Sequence, residues 1–321
     1  MKQKPNFYRI VQKDIQAVEE LIIASIQINR ADVNLLLRQL FSAGGKRIRP
    51  NIALLLGAML DADKQKIITL SAAIEMLHTA TLVHDDLIDN SLLRRGNSTL
   101  NAIWTPAATV LAGDYLFAKA AEHAANTNSL DVMKLFAQTL SIIVRGEITQ
   151  FLEKNSSIEI EAYRERIYAK TGSLFQTTCI AAGILADIPP VEQKALEKFG
   201  HDIGMAFQII DDVLDFTGSQ NVLGKPIGSD LRNNIITLPT LLYFQKNKNE
   251  YKQFLRDVKS EINPQHETLL QNILTGTSIE ESIAQAKMFI QTGLDQLDIF
   301  PSSPYKNELQ ALTLDSLTRV Q

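Results

Sequence analysis

Residues Lys66 to Asp89 read KIITLSAAIEMLHTATLVHDDLID, a strongly apolar stretch interrupted by Glu75, His78 and His84 that closes on three aspartates. Its apolar side chains recur at intervals of three and four, the period of an α-helix. The same spacing runs outward in both directions. Upstream it holds in VEELIIASI (18–26), VNLLLRQLF (33–41) and NIALLLGAML (51–60). Downstream it holds in MKLFAQTLSIIVRGEITQFL (133–152), EAYRERIYAKTGSLFQTTCIAAGIL (161–185) and VEQKALEKFGHDIGMAFQIIDDVLDF (191–216). Short β-branched runs bounded by turn residues are scarce. Breaks fall at Gly44-Gly45, around Asn155, at Pro189-Pro190, around Pro264 and at Pro301 to Pro304. The longest, TGSQNVLGKPIGSDLRNN (217–234), has the polar, glycine-containing character of a lid loop. No linker, low-complexity tract or short repeat divides the chain. The expectation is an all-α protein, a single domain over residues 1–321 built from about a dozen helices.

The acidic close of that stretch occurs twice, as Asp85-Asp86-Leu-Ile-Asp89 and as Asp211-Asp212-Val-Leu-Asp215. At about 100° per residue, the first and last aspartates of each motif share one helix face and the second points aside. Like charges at that spacing weaken a helix, and apolar flanks such as FQIIDDVLDF (207–216) make their burial costlier unless cations are present. A single DDxxD reads equally well as a solvated acidic face. Two copies, both flanked by apolar residues, point instead to hard oxygen ligands on two helices. That suits Mg²⁺, which takes a few carboxylates together with substrate phosphates.

The bulk numbers narrow the classes. The chain has 321 residues with 45% hydrophobic, enough for a sizeable core. Net charge is −4 with both signs interspersed, which gives no footprint for nucleic acid. The one cysteine, Cys179, lies in an apolar run and reads as a small buried hydrophobe. No disulfide framework is available, which fits the cytoplasm. MKQKPNFYRI lacks the core of a signal peptide, no apolar run approaches the ~20 residues of a bilayer span, and no clear amphipathic anchor is present, so membrane contact is expected to be transient at most.

Cationic groups match the acidic ones. GGKRIRP (44–50) places Lys46, Arg47 and Arg49 where one helix ends and another begins, a ready anion site. Arg94 and Arg95 follow Asp89 closely, and guanidinium forks bind phosphate oxygens in pairs, although a surface ion pair is the plainer use of such residues. His78 lies seven residues before Asp85 on nearly the same helix face, and His84, pressed against the motif, reads as structural. Lys170, Thr171, Gln208 and Lys225 are weaker candidates singly.

Together, GGKRIRP, HTATLVHDDLIDNSLLRRG (78–96), GDYLFAKA (113–120), GEITQ (146–150), AKTGSLF (169–175), GHDIGMAFQIIDDVLDF (200–216) and GKPIGSDLRNNIITLPTLL (224–242) resemble the trans-isoprenyl diphosphate synthases, in that order. The long-chain bacterial polyprenyl type, heptaprenyl or octaprenyl, is the most similar subgroup. The resemblance implies an all-α isoprenoid synthase fold around a deep central cavity, usually in a homodimer. It implies condensation of isopentenyl diphosphate with an allylic diphosphate, farnesyl or geranylgeranyl, for quinone side chains. Asp85, Asp89 and Asp211 would ligate three Mg²⁺ ions, with Asp86, Asp212 and Asp215 in or beside the coordination sphere. Arg94, Lys170 and Lys225 would grip the allylic diphosphate; Lys46, Arg49, His78 and Arg95 would hold isopentenyl diphosphate. Thr171 and Gln208 would present oxygen dipoles to the developing carbocation. Metal ions neutralise the leaving diphosphate, which can itself accept the final proton, so no histidine or cysteine base is needed.

One position departs from the family. A lysine usually precedes the Thr-Leu-Pro of the loop after the second motif, and here Ile235 stands there. The catalytic subunit of heterodimeric heptaprenyl synthases is similar in this respect, which implies a smaller partner subunit as the alternative to a homodimer. Upstream of Asp85, Ile74, Leu77, Ala80 and Thr81 would gauge product length; Ala80 and Thr81, where the family's short-chain members carry aromatics, are small. Hexaprenyl to octaprenyl products are expected, with geranylgeranyl as the shorter alternative. Three other readings compete. A class I terpene cyclase shares the fold, but the complete second motif and GGKRIRP argue against it. A metal phosphohydrolase would use His84-Asp85, yet five widely spread histidines supply few further ligands. A non-catalytic subunit would not need both acidic motifs complete.

Overall fold

The computed structural model of the chain describes residues 9–42, 46–94, 96–153, 158–218, 226–259 and 266–318. Helices dominate them. They are α1 (Gln12–Ser25), α2 (Ala31–Ser42), α3 (Ile48–Met59), α4 (Lys64–Ile88), α5 (Leu100–Ile103), α6 (Pro106–Asn126), α7 (Leu130–Glu153), α8 (Ile160–Ile167), α9 (Ser173–Leu185) and α10 (Pro190–Thr217). Others follow at Ser229–Arg232, Leu238–Lys246, Lys248–Lys259, His266–Thr275, Ser278–Gln296 and Pro304–Thr318. The all-α expectation holds. The strands among the described residues form one short antiparallel hairpin, β1 (Leu93–Arg94) with β2 (Asn97–Ser98).

The chain separates into two compact units. The first comprises Met1–Thr139, Leu174–Glu197 and Leu297–Leu312; the second comprises Leu140–Ser173, Lys198–Gln296 and Thr313–Gln321.

In the first unit α4 is the central helix, packed against α6, α3 and α1. Asp63 caps it by accepting from the Lys66 amide at 3.0 Å. Residues 67–77 are all buried, as expected of a helix apolar on every face. Its buried hydroxyls are satisfied within the helix: Thr69, Ser71 and Thr79 each donate to the carbonyl four residues back at 2.8 Å. In length and apolarity α4 does reach the size of a bilayer span, against expectation, but 78% of that window is buried inside the protein.

The α4–α6 contact depends on a missing side chain. His84 lies over Gly113, so close that a Cβ there would fall 2.1 Å from Nε2. The ring reaches the Val110 carbonyl at 3.2 Å and packs on Phe117 at 5.3 Å between centroids. Gly113→Ala must expel His84 and is expected to destabilise the protein by ~1–3 kcal/mol, read as a lowered urea midpoint at unchanged slope. An unchanged midpoint would show that the helices can slide apart freely.

In the second unit Leu238–Lys246 packs against Ser278–Gln296, and Phe244 collects Tyr251 and Phe254 at 5.5 and 5.2 Å. Asp202, wholly buried on α10, accepts from Lys198 at 2.7 Å, lies 2.8 Å from His201 Nδ1, and accepts from Thr292 at 2.9 Å. The Thr292 bond fastens α10 to helix Ser278–Gln296, while Lys198 and His201 belong to α10 itself.

Candidate active site

In the first unit the basic segment before α3 is anchored by Arg47. Its backbone is left-handed (φ 45°), a conformation that costs a non-glycine residue energy. The side chain compensates, donating to buried Glu75, to Glu19 at 3.2 Å and to the Phe41 carbonyl. Arg47 therefore holds the segment in place, whereas the sequence grouped it with the anion-binding residues. Lys46 is exposed, and Arg49 is buried with its guanidinium 4.3 Å from the centre of the Phe175 ring. His78 is half-buried on α4, and its carbonyl accepts from Thr81 Oγ1 at 2.8 Å. Ile74, Leu77 and Ala80 are fully buried.

The first acidic motif forms the end of α4. Asp89 is its C-cap, with its amide donating to the Asp85 carbonyl at 2.8 Å. Asn90 then turns left-handed (φ 51°). Its amide bonds the Leu87 carbonyl at 3.2 Å and the Ser91 amide bonds that of Asp86 at 2.8 Å, the Schellman arrangement that stops a helix. Asp86 is buried and taken by Arg94: Nε lies 3.0 and 2.9 Å from the two carboxylate oxygens, and Nη2 lies 2.9 Å from one of them. The side chain expected to point aside is thus the one that fixes Arg94 beside the motif.

The second motif lies in the last turns of α10, within the second unit. Lys170 and Thr171 sit in a π-helical turn, Tyr168–Gly172, between α8 and α9. Such a turn inserts one residue into the helical register and is frequent at functional sites. It approaches α7 so closely that a Cβ at Gly146 would lie 2.5 Å from Ala169 Cβ, which is why GEITQ begins with glycine. The next residue, Glu147, pairs with Lys170 at 2.8 Å.

Thr171 donates to Gln208 Oε1 at 2.6 Å, Gln208 Nε2 donates to Asp212 Oδ1 at 2.9 Å, and Tyr163 donates to Asp212 Oδ2 at 2.7 Å. Burial raises the Asp212 carboxyl to about 7, against the two hydrogen bonds that favour its charged form. Arg166 lies 5.5 Å from the centre of the Tyr163 ring and donates to the Ile236 carbonyl. Burial pulls its guanidinium below the ordinary value, opposed by Asp212, Tyr163 and Asp230. Asp215 Oδ2 accepts from the Asp230 amide at 3.1 Å, and its carbonyl accepts from Gly228 at 2.8 Å, so the following loop is tied back to the motif.

Magnesium fits this donor set on one physical ground. Each motif stands at the C-terminus of a long helix, where the macrodipole is negative and carboxylates are disfavoured. Neither α4 nor α10 carries a basic residue in its last turn to offset it. Cations supply that offset. Asp85 and Asp211 are half-buried and Asp89 is exposed, whereas both Asp212 oxygens already accept from Gln208 and Tyr163.

The structure therefore joins Asp86 with Arg94, and Thr171 with Gln208 and Asp212. Arg95 and Lys225 lie outside the described residues. Tyr163, Arg166, Glu147 and the anchoring role of Arg47 were not legible beforehand: a tyrosine or arginine in YRERIY carries no spacing that separates it from an ordinary amphipathic helix. His84 turns toward α6, which removes the histidine–aspartate pair on which a phosphohydrolase reading would rest.

Residues 31–275 match the polyprenyl synthetase family model. The octaprenyl diphosphate synthase of Escherichia coli is 34% identical over 94% of this chain and 95% of its own. Component 2 of the heptaprenyl diphosphate synthase of Bacillus subtilis is 36% identical, covering 95% and 88%. Among solved structures, the polyprenyl synthase of Caulobacter crescentus complexed with calcium and isoprenyl diphosphate superposes with a TM-score of 0.91 at 31% identity, over 98% and 97% of the two chains. With a family match across most of its length and relatives aligned nearly end to end, the chain belongs to the polyprenyl synthetase family.

Proposed function

We propose that this protein is a Mg²⁺-dependent prenyltransferase that condenses isopentenyl diphosphate with farnesyl or geranylgeranyl diphosphate. Its product is a linear all-trans polyprenyl diphosphate between hexaprenyl and octaprenyl, and the whole chain works as one catalytic domain. The observation that carries this is the pair of acidic helix ends, both complete, in a chain aligned with an octaprenyl synthase over 94% of its length.

Asp85, Asp89 and Asp211 are the proposed ligands, with Asp215 beside them and three ions in all. The chemistry Mg²⁺ supplies when bound is neutralisation of charge on the departing diphosphate. Arg94 and Lys170 are held in place by the carboxylates of Asp86 and Glu147. A diphosphate, with more charge and more oxygens than a carboxylate, competes well for such cations. Lys225 joins them, while Lys46, Arg49, His78 and Arg95 take isopentenyl diphosphate. Thr171 and Gln208 turn oxygen dipoles toward the allylic cation, and burial of Thr171 keeps water from it. The cytoplasm is the proposed compartment, in keeping with a single cysteine that is buried.

A second reading has its own support. Component 2 of a heptaprenyl synthase is 36% identical to this chain, and Ile235 replaces the family's lysine. On that reading the protein is the catalytic component of a two-component enzyme. The purified chain alone, given labelled isopentenyl diphosphate, farnesyl diphosphate and Mg²⁺, is expected to yield a ladder ending near heptaprenyl or octaprenyl after dephosphorylation and chromatography. Bound farnesyl diphosphate without product would favour the two-component enzyme. Cyclic products, or phosphate release alone, would overturn the proposal.

A further inference from the structure

The buried chain of hydrogen bonds in the second unit has a directional property. A glutamine side chain has two ends of equal shape and opposite polarity, and its neighbours decide which end faces where. Asp212 decides it here. Both Asp212 oxygens accept, Oδ2 from Tyr163 and Oδ1 from Gln208, so the Gln208 nitrogen turns to Asp212 at 2.9 Å and its oxygen turns to Thr171 at 2.6 Å. The single Thr171 proton is thereby engaged, and the lone pairs of its oxygen face outward from that bond. With the amide reversed, Gln208 would donate to Thr171 and release that proton to point elsewhere. Where positive charge develops, the reversed pair would present hydrogens instead of oxygens.

What holds Asp212 in this role is Tyr163. It is 2% exposed on α8 and donates to the other carboxylate oxygen at 2.7 Å. Arg166 lies over its ring and is itself tied to the Ile236 carbonyl, so the phenol has little freedom to turn away. Tyr163 touches neither Thr171 nor Gln208 through any of these bonds; it acts through the carboxylate.

We propose that Tyr163 is a positioning residue for prenyl transfer: through Asp212 it fixes the polarity of the Gln208–Thr171 pair, so that the pair offers oxygen to the reacting carbon. The inference rests on the prenyltransferase reading above and makes Asp212 a polarity-setting group, not a metal ligand.

Tyr163→Phe keeps the ring and its contact with Arg166 and removes one donor. Its kcat is expected to fall ~10- to 100-fold, the range seen when a supporting outer-shell partner is lost. Both KM values and the Mg²⁺ concentration for half-maximal rate are expected to stay near parental, because the lost interaction matters in the transition state. In a Gln208→Leu background the same substitution is expected to cost nothing more, since the group it orients is gone. Parental kcat in Tyr163→Phe, a shifted Mg²⁺ requirement, or a full additive loss on Gln208→Leu would overturn the proposal. Each is measured against the parent's own rate, so the synthase reading would survive. If Tyr163→Phe does not fold, Asp212→Asn serves in the same cycle. That isosteric change can reverse Gln208 end for end; non-additivity with Gln208→Leu supports the proposal, and full additivity overturns it.

Discussion

Asp85→Ala and Asp211→Ala are each expected to lower turnover by ~10²–10³-fold, the scale of losing one charge-stabilising group from a reacting site, while the far-UV circular dichroism stays that of a helical protein. The reason lies in where the two residues stand. Both occupy the last turns of long helices whose stability comes from burial elsewhere, residues 67–77 in α4 and Leu196, Phe199 and Ile203 in α10. Alanine is the best helix former. The variants should therefore keep their helical fold while losing activity. Activity within a few-fold of parent, in either variant, would remove that aspartate from the proposed magnesium ligands. Added Mg²⁺ supplies a further check, because the parent should gain thermal stability from it and the variants should gain less.

Ala80→Phe is expected to shorten the product by several isoprene units. Along a helix Ala80 stands about 7.5 Å and Ile74 about 16 Å from Asp85, so a growing chain that follows α4 passes Ala80 first. Full burial of Ala80 adds a complication, since a phenylalanine there overfills a packed site at a cost of ~1–3 kcal/mol. Thr81 separates the two effects. It is half-buried, and its hydroxyl is satisfied locally by the His78 carbonyl at 2.8 Å. Thr81→Phe should shorten the product with a smaller loss of stability. Dephosphorylated products sized by reverse-phase chromatography, beside a urea midpoint for each variant, give the comparison. An unchanged product distribution in both would end the idea that this segment gauges length.

The helical class was legible from periodicity, because a pattern of three and four occurs in nearly every apolar stretch and leaves no strand to compete. The two acidic motifs were legible because carboxylates set among apolar side chains are costly, and a cost met twice calls for cations to offset it. Side-chain partnerships were not. Asp86 was read as pointing aside, yet the Schellman turn at Asn90 and the short hairpin after it return Arg94 onto its carboxylate. Arg47 was read as an anion ligand, yet the left-handed backbone at that residue turns it toward Glu75 and Glu19. Both outcomes depend on backbone direction at a helix end, which residue spacing does not encode.

By itself the sequence determined the all-α class, the two carboxylate clusters and the family, since each follows from local period, composition or ordered motifs. Only the tertiary structure decided which groups within each unit are paired. Arg94 rests on Asp86, Lys170 rests on Glu147 through a π-helical turn and a glycine-sized approach, and Tyr163 reaches Asp212 across 49 positions of chain. A hydrogen bond between residues so far apart depends on how their helices pack, and packing is a property of the whole folded unit.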